Sequence, residues 1–411
     1  MGLVVQKFGG SSVATPQKML SAARRAVSAA EAGSQVVVVV SAMGNRTDEL
    51  LELAEQINPD PSPREMDMLM AVGEQMSVAL MAIAIHKLER DAISLTGAQA
   101  GIQTDSVYRK ARIKTVDTTR VRSELEQGRI VIVAGFQGVD SEDNITTIGR
   151  GGSDPTAVAL AAALEAERCD IFTDVEGVYT ADPRIVPEAR WIPKMDYDEL
   201  LELASLGAQV MQARAVELAK RFSVPFRVRP SYSDGEGTLV TKLTDEMEQV
   251  DVRGAALEMD EAKVTIRHVP DRPGVAADIF SEIARANINV DMIVQNVSEQ
   301  GLADVSFTVP AGDLPQALAV TQSLAEQLGG ATVESDEEIA KLSIVGIGMR
   351  SHSGVAERMF RALADEKINI QMISTSEIKV SCVIDAPAGE AALRAVHRAF
   401  ELDRERPEGN D

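Results

Sequence analysis

Residues 144–184 read NITTIGRGGSDPTAVALAAALEAERCDIFTDVEGVYTADPR. In this stretch a glycine cluster at 149–152 precedes an alanine-rich run, which predicts a helix over 156–165. A short buried strand is predicted at 169–173, and a polar loop follows it to residue 184. Glycine lets the backbone approach a ligand closely, and the start of a helix presents unpaired N–H groups that favour anions. Because each loop follows a predicted parallel strand, we expect an anion-binding site at the carboxyl ends of the strands.

The composition is that of an acidic globular protein. The 411 residues include 41 Lys plus Arg and 63 Asp plus Glu, which gives a net charge of −22. This length predicts two or three domains, and the acidic balance argues against nucleic acid as a partner. Affinity for anionic substrates must therefore come from a few local charges such as Arg150, whose guanidinium suits carboxylates and phosphates.

The sequence predicts a cytoplasmic protein without a membrane partner. The first residues, MGLVVQKFGG, reach a charge and glycines too early for a signal peptide, and no apolar run approaches the roughly 20 residues that cross a membrane. Cys169 and Cys382 lie in separate apolar segments, which predicts buried free thiols in a reducing compartment. The four histidines show neither metal-ligand spacing nor a triad, so neither a zinc site nor a serine hydrolase is expected.

Valine-rich segments that alternate with helical patterns predict a doubly wound α/β domain over residues 1–245. Continuous apolar runs, such as the five valines of 35–40, are typical of parallel strands buried on both faces. The predicted strands are 3–6, 35–40, 92–95, 129–134, 169–173 and 226–228, and the predicted helices are 15–32, 48–56, 65–88, 120–127, 156–165 and 198–220.

Lys7 follows the first predicted strand and precedes a glycine turn. The pattern is not a Walker A loop, because Gly-x-x-x-x-Gly-Lys-Ser/Thr is absent. A lysine at a strand end beside glycine N–H groups can meet a phosphate. An ordinary strand–turn–helix with a surface lysine explains the segment more simply, so the segment alone assigns Lys7 no role.

Two further polar residues have open interpretations. Thr47 precedes the predicted helix 48–56, and helix N-capping alone explains it. Glu74 lies in the predicted helix 65–88 among apolar neighbours. A buried carboxylate there would need a partner such as a substrate amine, whereas a glutamate on the helix surface would need none.

After residue 245 the pattern changes to a duplicated unit. Strand, turn, helix and two strands are predicted at 264–267, 271–274, 275–286, 290–296 and 303–309, and the order returns at 341–347, 350–354, 355–365, 370–375 and 378–384. With a shift of 80, residues 274–293 and 354–373 share nine identities in 20. The duplication predicts two small βαββαβ modules.

Four motifs in this order resemble the aspartate kinases of the amino acid kinase fold. They are Lys7-Phe-Gly-Gly-Ser-Ser, Ser41-Ala-Met-Gly, Gly149-Arg-Gly-Gly-Ser-Asp and Thr173-Asp-Val-Glu-Gly-Val-Tyr-Thr-Ala-Asp-Pro-Arg. The two repeats resemble ACT domains, which are small-molecule regulatory modules, and the whole organisation looks most like the lysine- and threonine-sensitive bacterial enzymes. The resemblance implies a three-layer αβα amino acid kinase domain with a mainly parallel sheet over 1–245. Two ferredoxin-like βαββαβ ACT domains follow, over 246–337 and 338–405.

The resemblance also implies a reaction, in which the γ-phosphoryl group of ATP, with Mg²⁺, is transferred to the β-carboxylate of L-aspartate. The product is 4-phospho-L-aspartate, and the step is the first of lysine, threonine and methionine biosynthesis. An aspartate carboxylate is ionised near neutral pH, so no general base is needed. The difficulty is electrostatic, because an anion approaches a polyanion, and positioning, Mg²⁺, lysine and backbone N–H groups are the expected remedy.

The motifs imply a set of site residues. The implied catalytic residues are Lys7, Arg150 and Asp154, with Asp154 holding Lys7 in place. The residues implied for ATP are Lys7, Phe8, Gly9, Gly10, Ser11, Thr173, Asp174, Tyr179, Asp182 and Arg184. Those implied for aspartate are Ser41, Thr47, Glu74, Arg150, Gly151, Gly152 and Ser153, with Glu74 facing the ammonium group. No metal held by protein side chains alone is implied.

Threonine and lysine are the implied effectors, and the sequence leaves open whether either or both inhibit. Their implied contacts are Asp271, Asn289, Val290, Asp291, Gln295, Ser298, Asn369, Ile370, Thr375 and Ser376. Pairing of ACT modules implies a homo-oligomer. Some resembling enzymes also make a free regulatory chain from an internal start, and Met247 stands near that point with Met259 as a rival, so an α₂β₂ assembly is a further expectation.

Two departures and two rival functions accompany the resemblance. Gln209 stands where resembling proteins often carry a lysine near the nucleotide, and Ser353 replaces a usual proline in the turn of the second repeat. Another amino acid kinase, for glutamate or acetylglutamate, is the nearest rival, although the repeats and the loop 149–154 argue against it. A non-catalytic amino-acid sensor is the second rival function, and Gln209 is the feature that favours it.

Overall fold

The structure, a computed structural model, describes residues 2–205, 211–243, 251–297, 301–347, 349 and 354–404. Gln209, Met247, Ser298 and Ser353 lie outside these residues, so the predictions made for them stay predictions.

The elements alternate as the sequence predicts over the first half of the chain. The strands are β1 Leu3–Phe8, β2 Gln35–Val40, β3 Ala92–Leu95, β4 Ile102–Thr104, β5 Ile113–Val116, β6 Ile130–Ala134, β7 Gln137–Val139, β8 Ile145–Thr147, β9 Arg168–Thr173, β10 Lys194–Met195, β11 Phe226–Pro230, β12 Thr238–Val240, β13 Asp251–Pro270, β14 Ile293–Val297, β15 Leu302–Pro310, β16 Thr332–Ile347, β17 Met372–Thr375 and β18 Lys379–Asp385. The helices are α1 Pro16–Glu31, α2 Arg46–Ile57, α3 Pro63–His86, α4 Thr119–Glu126, α5 Ser153–Leu164, α6 Tyr197–Ser205, α7 Ala213–Phe222, α8 Val275–Arg285, α9 Leu314–Gln327, α10 Val355–Asp365 and α11 Gly389–Ala399. Short 3₁₀ helices cover Gly10–Val13, Ala311–Asp313 and Ala386–Ala388.

An eight-stranded sheet organises the first part of the chain, in the order β10-β12-β11-β9-β1-β2-β6-β3. Its central strands run parallel, and β12 runs antiparallel to β11. Val36, Val38 and Val40 of β2 share a core with α1 and α3, whereas α5 contacts β1, β2 and β9. Successive strand residues point to opposite faces, and Val37 and Val39 are also fully buried. The valine run therefore fills both faces of a three-layer domain.

The sheet reverses its winding direction at β1. Strand β2 pairs with one edge of β1, and the much later β9 pairs with the other. In open α/β sheets, ligands bind beyond the carboxyl ends of the strands at such a reversal. The fold thus directs attention to the residues that follow β1, β2 and β9.

Two local predictions fail, and one sheet was not predicted. Residues 198–220, predicted as one helix, form α6 and α7, because Gln212 adopts an extended conformation before α7. Thr47 is not a helix N-cap, since α2 begins at Arg46 with Asn45 as its N-cap. A four-stranded sheet, β5-β4-β7-β8, was not predicted, because its strands of three or four residues carry too short a pattern to recognise.

Helix α3 corrects the expectation that no segment could cross a membrane by length and composition. It passes both criteria, but 56% of its most apolar window is buried inside the protein. Buried Asp67 accepts hydrogen bonds from the backbone N–H of Arg109 and from Thr147, so this helix is built into the domain through polar contacts as well. These features are those of a core helix.

The described residues divide into two compact units, which change over between Asp245 and Glu246 and also at two earlier segments of the chain. The first unit holds the described parts of Met1–Val178, Trp191–Ala204 and Gln209–Asp245. The second holds those of Tyr179–Arg190, Ser205–Ala208 and Glu246–Asp411. The loop Tyr179–Arg190 therefore belongs with the C-terminal repeats by its contacts, although it is embedded in the kinase half of the sequence.

The C-terminal repeats share one six-stranded sheet, in the order β14-β15-β13-β16-β18-β17. The first repeat is a complete βαββαβ module, from β13 to β16. The second has no last strand of its own after α11 within the described residues, and the first half of β13 takes that place by pairing 251–258 with 341–347. The two ACT modules are therefore intertwined, which two consecutive ranges, 246–337 and 338–405, do not describe.

The duplicated glycines occupy equivalent positions at the starts of α8 and α10. Gly274 has φ 100° and Gly354 has φ 113° as helix N-caps. Residues with a Cβ adopt such conformations only at a cost, so both repeats keep glycine where the chain turns into the helix.

Candidate active site

Polar groups converge where the central parallel strands end. Lys7 is the penultimate residue of β1, Ser41 follows β2 directly, and Thr173 ends β9. Gly135 follows β6, and a Cβ there would lie 2.6 Å from Oγ of Ser153. The structure therefore brings the glycine-rich loop against the carboxyl edge of the sheet, as the sequence predicts.

The centre of this site is an ion pair between Lys7 and Asp154. Nζ of Lys7 lies 2.6 Å from Oδ1 of Asp154, and the two side chains are only 11% and 9% exposed. Asp154 lies in the first turn of α5, where the helix dipole favours a carboxylate. The resemblance implies that Asp154 holds Lys7, and the structure contains this contact.

The glycine turn after β1 is packed closely against the loop after β2. A Cβ on Gly10 would lie 2.7 Å from the carbonyl oxygen of Ala42, so only glycine fits. The N–H of Gly9 donates to the carbonyl of Phe172 at 3.3 Å and is therefore already engaged. The ring of Phe8 is fully buried and stacks on Phe172 with centroids 4.7 Å apart. The structure thus makes the side chain of Phe8 part of the core, so the predicted contact of this residue with ATP would have to come from its backbone.

Glu74 is a buried carboxylate, so its interpretation as a surface residue is wrong. It is 3% exposed, and its Oε1 accepts the N–H of Ala42 at 2.9 Å. Its Oε2 is buried without a hydrogen-bond partner. Burial raises the pKa of Glu74 to about 7, although the Ala42 N–H opposes the shift. An unpaired buried carboxylate oxygen of this kind can receive a cation.

Two hydroxyl groups connect Ser41, in the loop after β2, with Ser153, the first residue of α5. Oγ of Ser41 donates to Oγ of Ser153 at 2.9 Å, and the N–H of Ser41 donates to the carbonyl of Phe8 at 3.1 Å. Thr47, in the first turn of α2, is half-buried. These residues all belong to the first unit, together with Gly151 and Gly152.

Arg150 is held at the surface by a residue that the sequence analysis missed. Nη2 of Arg150 lies 2.9 Å from Oδ1 of Asp48, and the two side chains are 82% and 52% exposed. The guanidinium is therefore open to solvent and can exchange its partner for another carboxylate. Asp48 directly follows Thr47, but no sequence signal distinguishes it from other acidic residues of α2.

Gln212 is a second missed residue. Its backbone N–H donates to Oδ2 of Asp154 at 3.3 Å, and its Nε2 donates to the carbonyl of Arg150 at 2.7 Å. It lies 58 residues after Asp154 in the chain, so only the fold brings the two together. Gln212 thus fixes both ends of the loop that carries the catalytic candidates.

The residues predicted to bind the nucleotide are divided between the two units. Thr173 and Asp174 belong to the first, where Oγ1 of Thr173 donates to Oδ1 of Asp174 at 3.1 Å. Tyr179, Asp182 and Arg184 belong to the second. Arg184 forms an ion pair of 2.6 Å with Asp182, and its hydrogen bonds lower the pKa of that carboxyl.

The first repeat has a pocket of 450 Å³ beside the start of α8. Asp271 and Gln295, both predicted effector contacts, line it together with Gly274. The neighbouring predictions Asn289, Val290 and Asp291 do not line this pocket. Asp291 instead forms an ion pair with Lys341 at 2.6 Å.

The predicted effector contacts of the second repeat are accessible in part. Asn369, Thr375 and Ser376 are exposed, and Ile370 is half-buried. The turn before α10 that would complete an equivalent pocket falls on residues 350–353, outside the described part of the chain.

Comparison with known proteins shows to which family the chain belongs. The sequence pattern of the amino acid kinase family matches residues 2–230, and those of ACT domains match 264–327 and 342–400. An aspartate kinase of Stutzerimonas stutzeri is 53% identical over 100% of this chain and 99% of that protein. The chain belongs to the aspartate kinase family. An aspartokinase of Pseudomonas aeruginosa is 54% identical and covers 98% of both chains.

Solved aspartokinases share the fold. E. coli aspartokinase III in complex with aspartate and ADP is 28% identical, with a TM-score of 0.82 over 97% of this chain and 99% of that one. The same enzyme in complex with lysine and aspartate has a TM-score of 0.74 at 28% identity, over the same 97% and 99%. The predicted family, fold class and phosphotransferase activity, with ACT regulatory domains, are thereby confirmed.

Proposed function

We propose that this aspartate kinase transfers the γ-phosphoryl group of ATP to the β-carboxylate of L-aspartate at the carboxyl ends of β1, β2 and β9. Two observations at the same sheet edge carry the proposal. Lys7 pairs with Asp154, and Glu74, which accepts the N–H of Ala42 in the loop after β2, keeps its Oε2 buried without a hydrogen-bond partner. The first supplies a fixed positive charge, and the second supplies a place for a substrate ammonium group. ADP and aspartate in the related E. coli structure support this pair of ligands.

The chemistry requires charge more than proton transfer. The attacking carboxylate is already ionised near neutral pH, so no side chain has to act as a base. In the transition state, negative charge spreads over the transferring oxygens, and Lys7 stabilises it without reorganising because Asp154 already orients the amine. The nucleotide phosphates also meet N–H groups of the glycine turn at Gly10 and Ser11.

Aspartate is held by groups at its two ends. Glu74 accepts the ammonium group on Oε2 and ionises fully as it does so. Arg150 exchanges Asp48 for a substrate carboxylate. Further polar contacts come from Ser41, Thr47, Gly151, Gly152 and Ser153. A glutamate substrate, longer by one methylene, would displace one end from its partner.

Mg²⁺ fits this site as a companion of the nucleotide. Among the described residues there is no group of three or more His, Cys, Asp or Glu side chains able to hold a metal. Mg²⁺ commonly keeps several waters and binds substrate phosphates with one or two carboxylates. Asp174, which directly follows β9, is the carboxylate that would complete the coordination shell, and a bound Mg²⁺ would neutralise phosphate charge there.

The test of the activity is a coupled assay of ADP release with purified full-length enzyme. We expect turnover with ATP and L-aspartate, and at least about 10²-fold lower kcat/KM with L-glutamate. Equal use of both substrates would overturn the assigned aspartate contacts. Binding of amino acids without any ADP release would instead support the sensor function.

We further propose feedback inhibition by threonine and lysine through the ACT modules. Asp271 and Gln295 in the 450 Å³ pocket beside the start of α8 can bind the ammonium and carboxylate of an amino acid. The effector must bind an inhibited arrangement better than the active one, typically by about 1–3 kcal/mol. Lysine in the complex of E. coli aspartokinase III supports one of the two effectors.

Activity measured against threonine and lysine, separately and together, tests this regulation. Inhibition should be strongest with both present and should be relieved in Asp271→Ala with an unchanged basal rate. If neither amino acid alters the rate or the unfolding temperature, the modules serve assembly only.

Assembly through the ACT modules is proposed from their surface. Ile293 on β14 and Ile373 on β17 are 52% and 44% exposed, and they occupy equivalent positions in the repeats. Both lie on outer strands of the six-stranded sheet, where another chain can pair. Native mass spectrometry should show a homo-oligomer, or α₂β₂ if Met247 starts a second chain, and a monomer would refute the interface.

A further inference from the structure

The loop Tyr179–Arg190 is closed on itself by Thr180. The N–H of Thr180 donates to the carbonyl of Arg190 at 2.8 Å, and the N–H of Arg190 donates to Oγ1 of Thr180 at 2.9 Å. Thr180 therefore joins the two ends of the loop through hydrogen bonds with Arg190. The conformation of the intervening residues, including Asp182 and Arg184, depends on this closure.

The same loop is anchored in the second ACT module. The N–H of Ala255, at the start of β13, donates to the carbonyl of Thr180 at 2.8 Å. Nε of Arg190 donates to the carbonyl of Leu402 at 3.1 Å. Ala181 and Val186 are buried in the hydrophobic cluster that includes residues of β16, α10 and α11. The apolar side chains of the loop thus form part of the core of a regulatory module.

The side-chain contact at the centre of this anchor is between Thr180 and His397 of α11. Nε2 of His397 lies 2.9 Å from Oγ1 of Thr180, and His397 is only 2% exposed. Because Oγ1 already accepts the N–H of Arg190, its own O–H is best used as a donor to a neutral imidazole. The threonine hydroxyl then satisfies both the loop closure and the buried ring.

We propose that His397 is a positioning residue for the nucleotide, acting through Thr180 to fix the loop that presents Asp182 and Arg184. The proposal rests on the proposed phosphotransfer from ATP and on the nucleotide role that the resemblance implies for these two residues. Their side chains are 30% and 81% exposed, so they are available to a ligand, while the apolar residues on either side are buried in the ACT module. The regulatory module thereby supplies part of the support for nucleotide binding.

The experiment compares ATP and aspartate kinetics in full-length Thr180→Val and His397→Leu, which remove the hydroxyl and the imidazole. His397→Leu should raise the KM for ATP by about 5- to 20-fold, the scale of one lost buried hydrogen bond. Thr180→Val, which also loses the contact with the N–H of Arg190, should raise it at least as much, and both should keep the KM for aspartate within about twofold of wild type. The double variant should raise the KM for ATP no more than Thr180→Val alone, because Thr180→Val already removes the contact with His397 as well as the one with the N–H of Arg190. His397→Gln, whose amide can reach the position of Nε2, should restore much of the ATP affinity.

A matched control removes a similar hydrogen bond elsewhere in the same module. Ser343 and Ser381 are buried and share a hydrogen bond of 2.7 Å between β16 and β18. Ser381→Ala should lower the unfolding temperature comparably to Thr180→Val but leave the KM for ATP unchanged. If Ser381→Ala raises that KM equally, the effect is one of general stability and the positioning role is refuted.

The pH profile gives a second readout. Burial lowers the pKa of His397, with Asp403 and Glu188 opposing the shift and Arg190 adding to it. The neutral ring therefore stabilises the fold at neutral pH, and this contribution is lost as pH falls through the folded-state pKa. The KM for ATP should rise on acidification in the wild type and stay flat in His397→Gln, and identical profiles would refute the proposal.

Arg184→Gln separates failure of this proposal from failure of the nucleotide assignment. If it leaves the KM for ATP unchanged, the loop does not bind nucleotide, and both proposals fall. If it raises that KM while Thr180→Val and His397→Leu do not, the loop binds nucleotide without help from His397, and only the positioning role is refuted.

Discussion

Two ion pairs of equal length occur in the two parts of the predicted site. Lys7 and Asp154 lie 2.6 Å apart with side chains 11% and 9% exposed. Arg184 and Asp182 also lie 2.6 Å apart, but with exposures of 81% and 30%. Water screens the second pair and not the first, so equal distances correspond to different energies.

The two pairs also differ in what builds them. Lys7 and Asp154 come from β1 and α5, and their contact requires the assembled sheet. Asp182 and Arg184 are two residues apart in one loop, so their contact is local. A pair assembled by the fold is preorganised for catalysis, whereas a local exposed pair is easily opened by a ligand. The following predictions test that difference.

The largest effect is expected for Lys7→Ala. Loss of its charge removes stabilisation of the transition state, so kcat should fall by about 10²-fold or more. Steady-state kinetics on folded protein measure this, with exposed Lys87→Ala as the control. Near-normal turnover of Lys7→Ala would show that the buried pair is not preorganised for catalysis.

Glu74 should make aspartate binding depend on pH. Its pKa is raised to about 7 by burial, so it is neutral in acid and cannot pair with the substrate ammonium. The KM for aspartate should rise by about tenfold per pH unit below that value and be high and flat in Glu74→Gln.

The same shift predicts a change in stability. The folded protein binds this proton more tightly than the unfolded chain, so the free energy of unfolding should fall as pH rises from about 4.5 to about 7. Chemical denaturation should show this fall diminished in Glu74→Gln and retained in Glu65→Gln, whose carboxylate lies exposed on the same helix.

Arg150→Ala should chiefly raise the KM for aspartate, by about tenfold, with a smaller change in kcat. Asp48→Asn should lower the same KM by about twofold, because it frees Arg150 from its present partner. A fall in kcat without any change in KM would move Arg150 from substrate binding to the transition state.

The smallest effect is expected at the exposed pair. Asp182→Asn should change the free energy of unfolding by less than about 1 kcal/mol, and less in high salt. Asp154→Asn should cost more, about 3 kcal/mol, because it leaves Lys7 buried without its counter-charge. Denaturant titrations at low and high salt compare them, and equal losses would show that burial does not separate the pairs.

Much of the fold could be predicted because the information is local. The valines of β2 are buried on both faces, and this is visible in the sequence as an uninterrupted apolar run. The glycines at 274 and 354 mark equivalent turns because their positive φ excludes most other residues. The four motifs placed Lys7 and Asp154 in one family site, although their contact could not be derived from spacing.

Other features were settled only by the tertiary structure, because burial and pairing depend on residues distant in the chain. Glu74 has the same helical pattern whether it faces solvent or the core, and only the packing of α3 buries it. Gln212 and Asp48 carry no signal of their own and become site residues through contacts with Asp154 and Arg150.

The strand β13 and the loop Tyr179–Arg190 show the same limit on a larger scale. The sequence predicts only residues 264–267 of β13 as a strand, and it does not predict that the first half of β13 completes the second repeat. Sequence motifs assign the loop to the kinase, while its apolar residues are buried with the ACT module. Local chemistry determines which residues can form a strand or bind an anion, and long-range burial determines which partners they obtain.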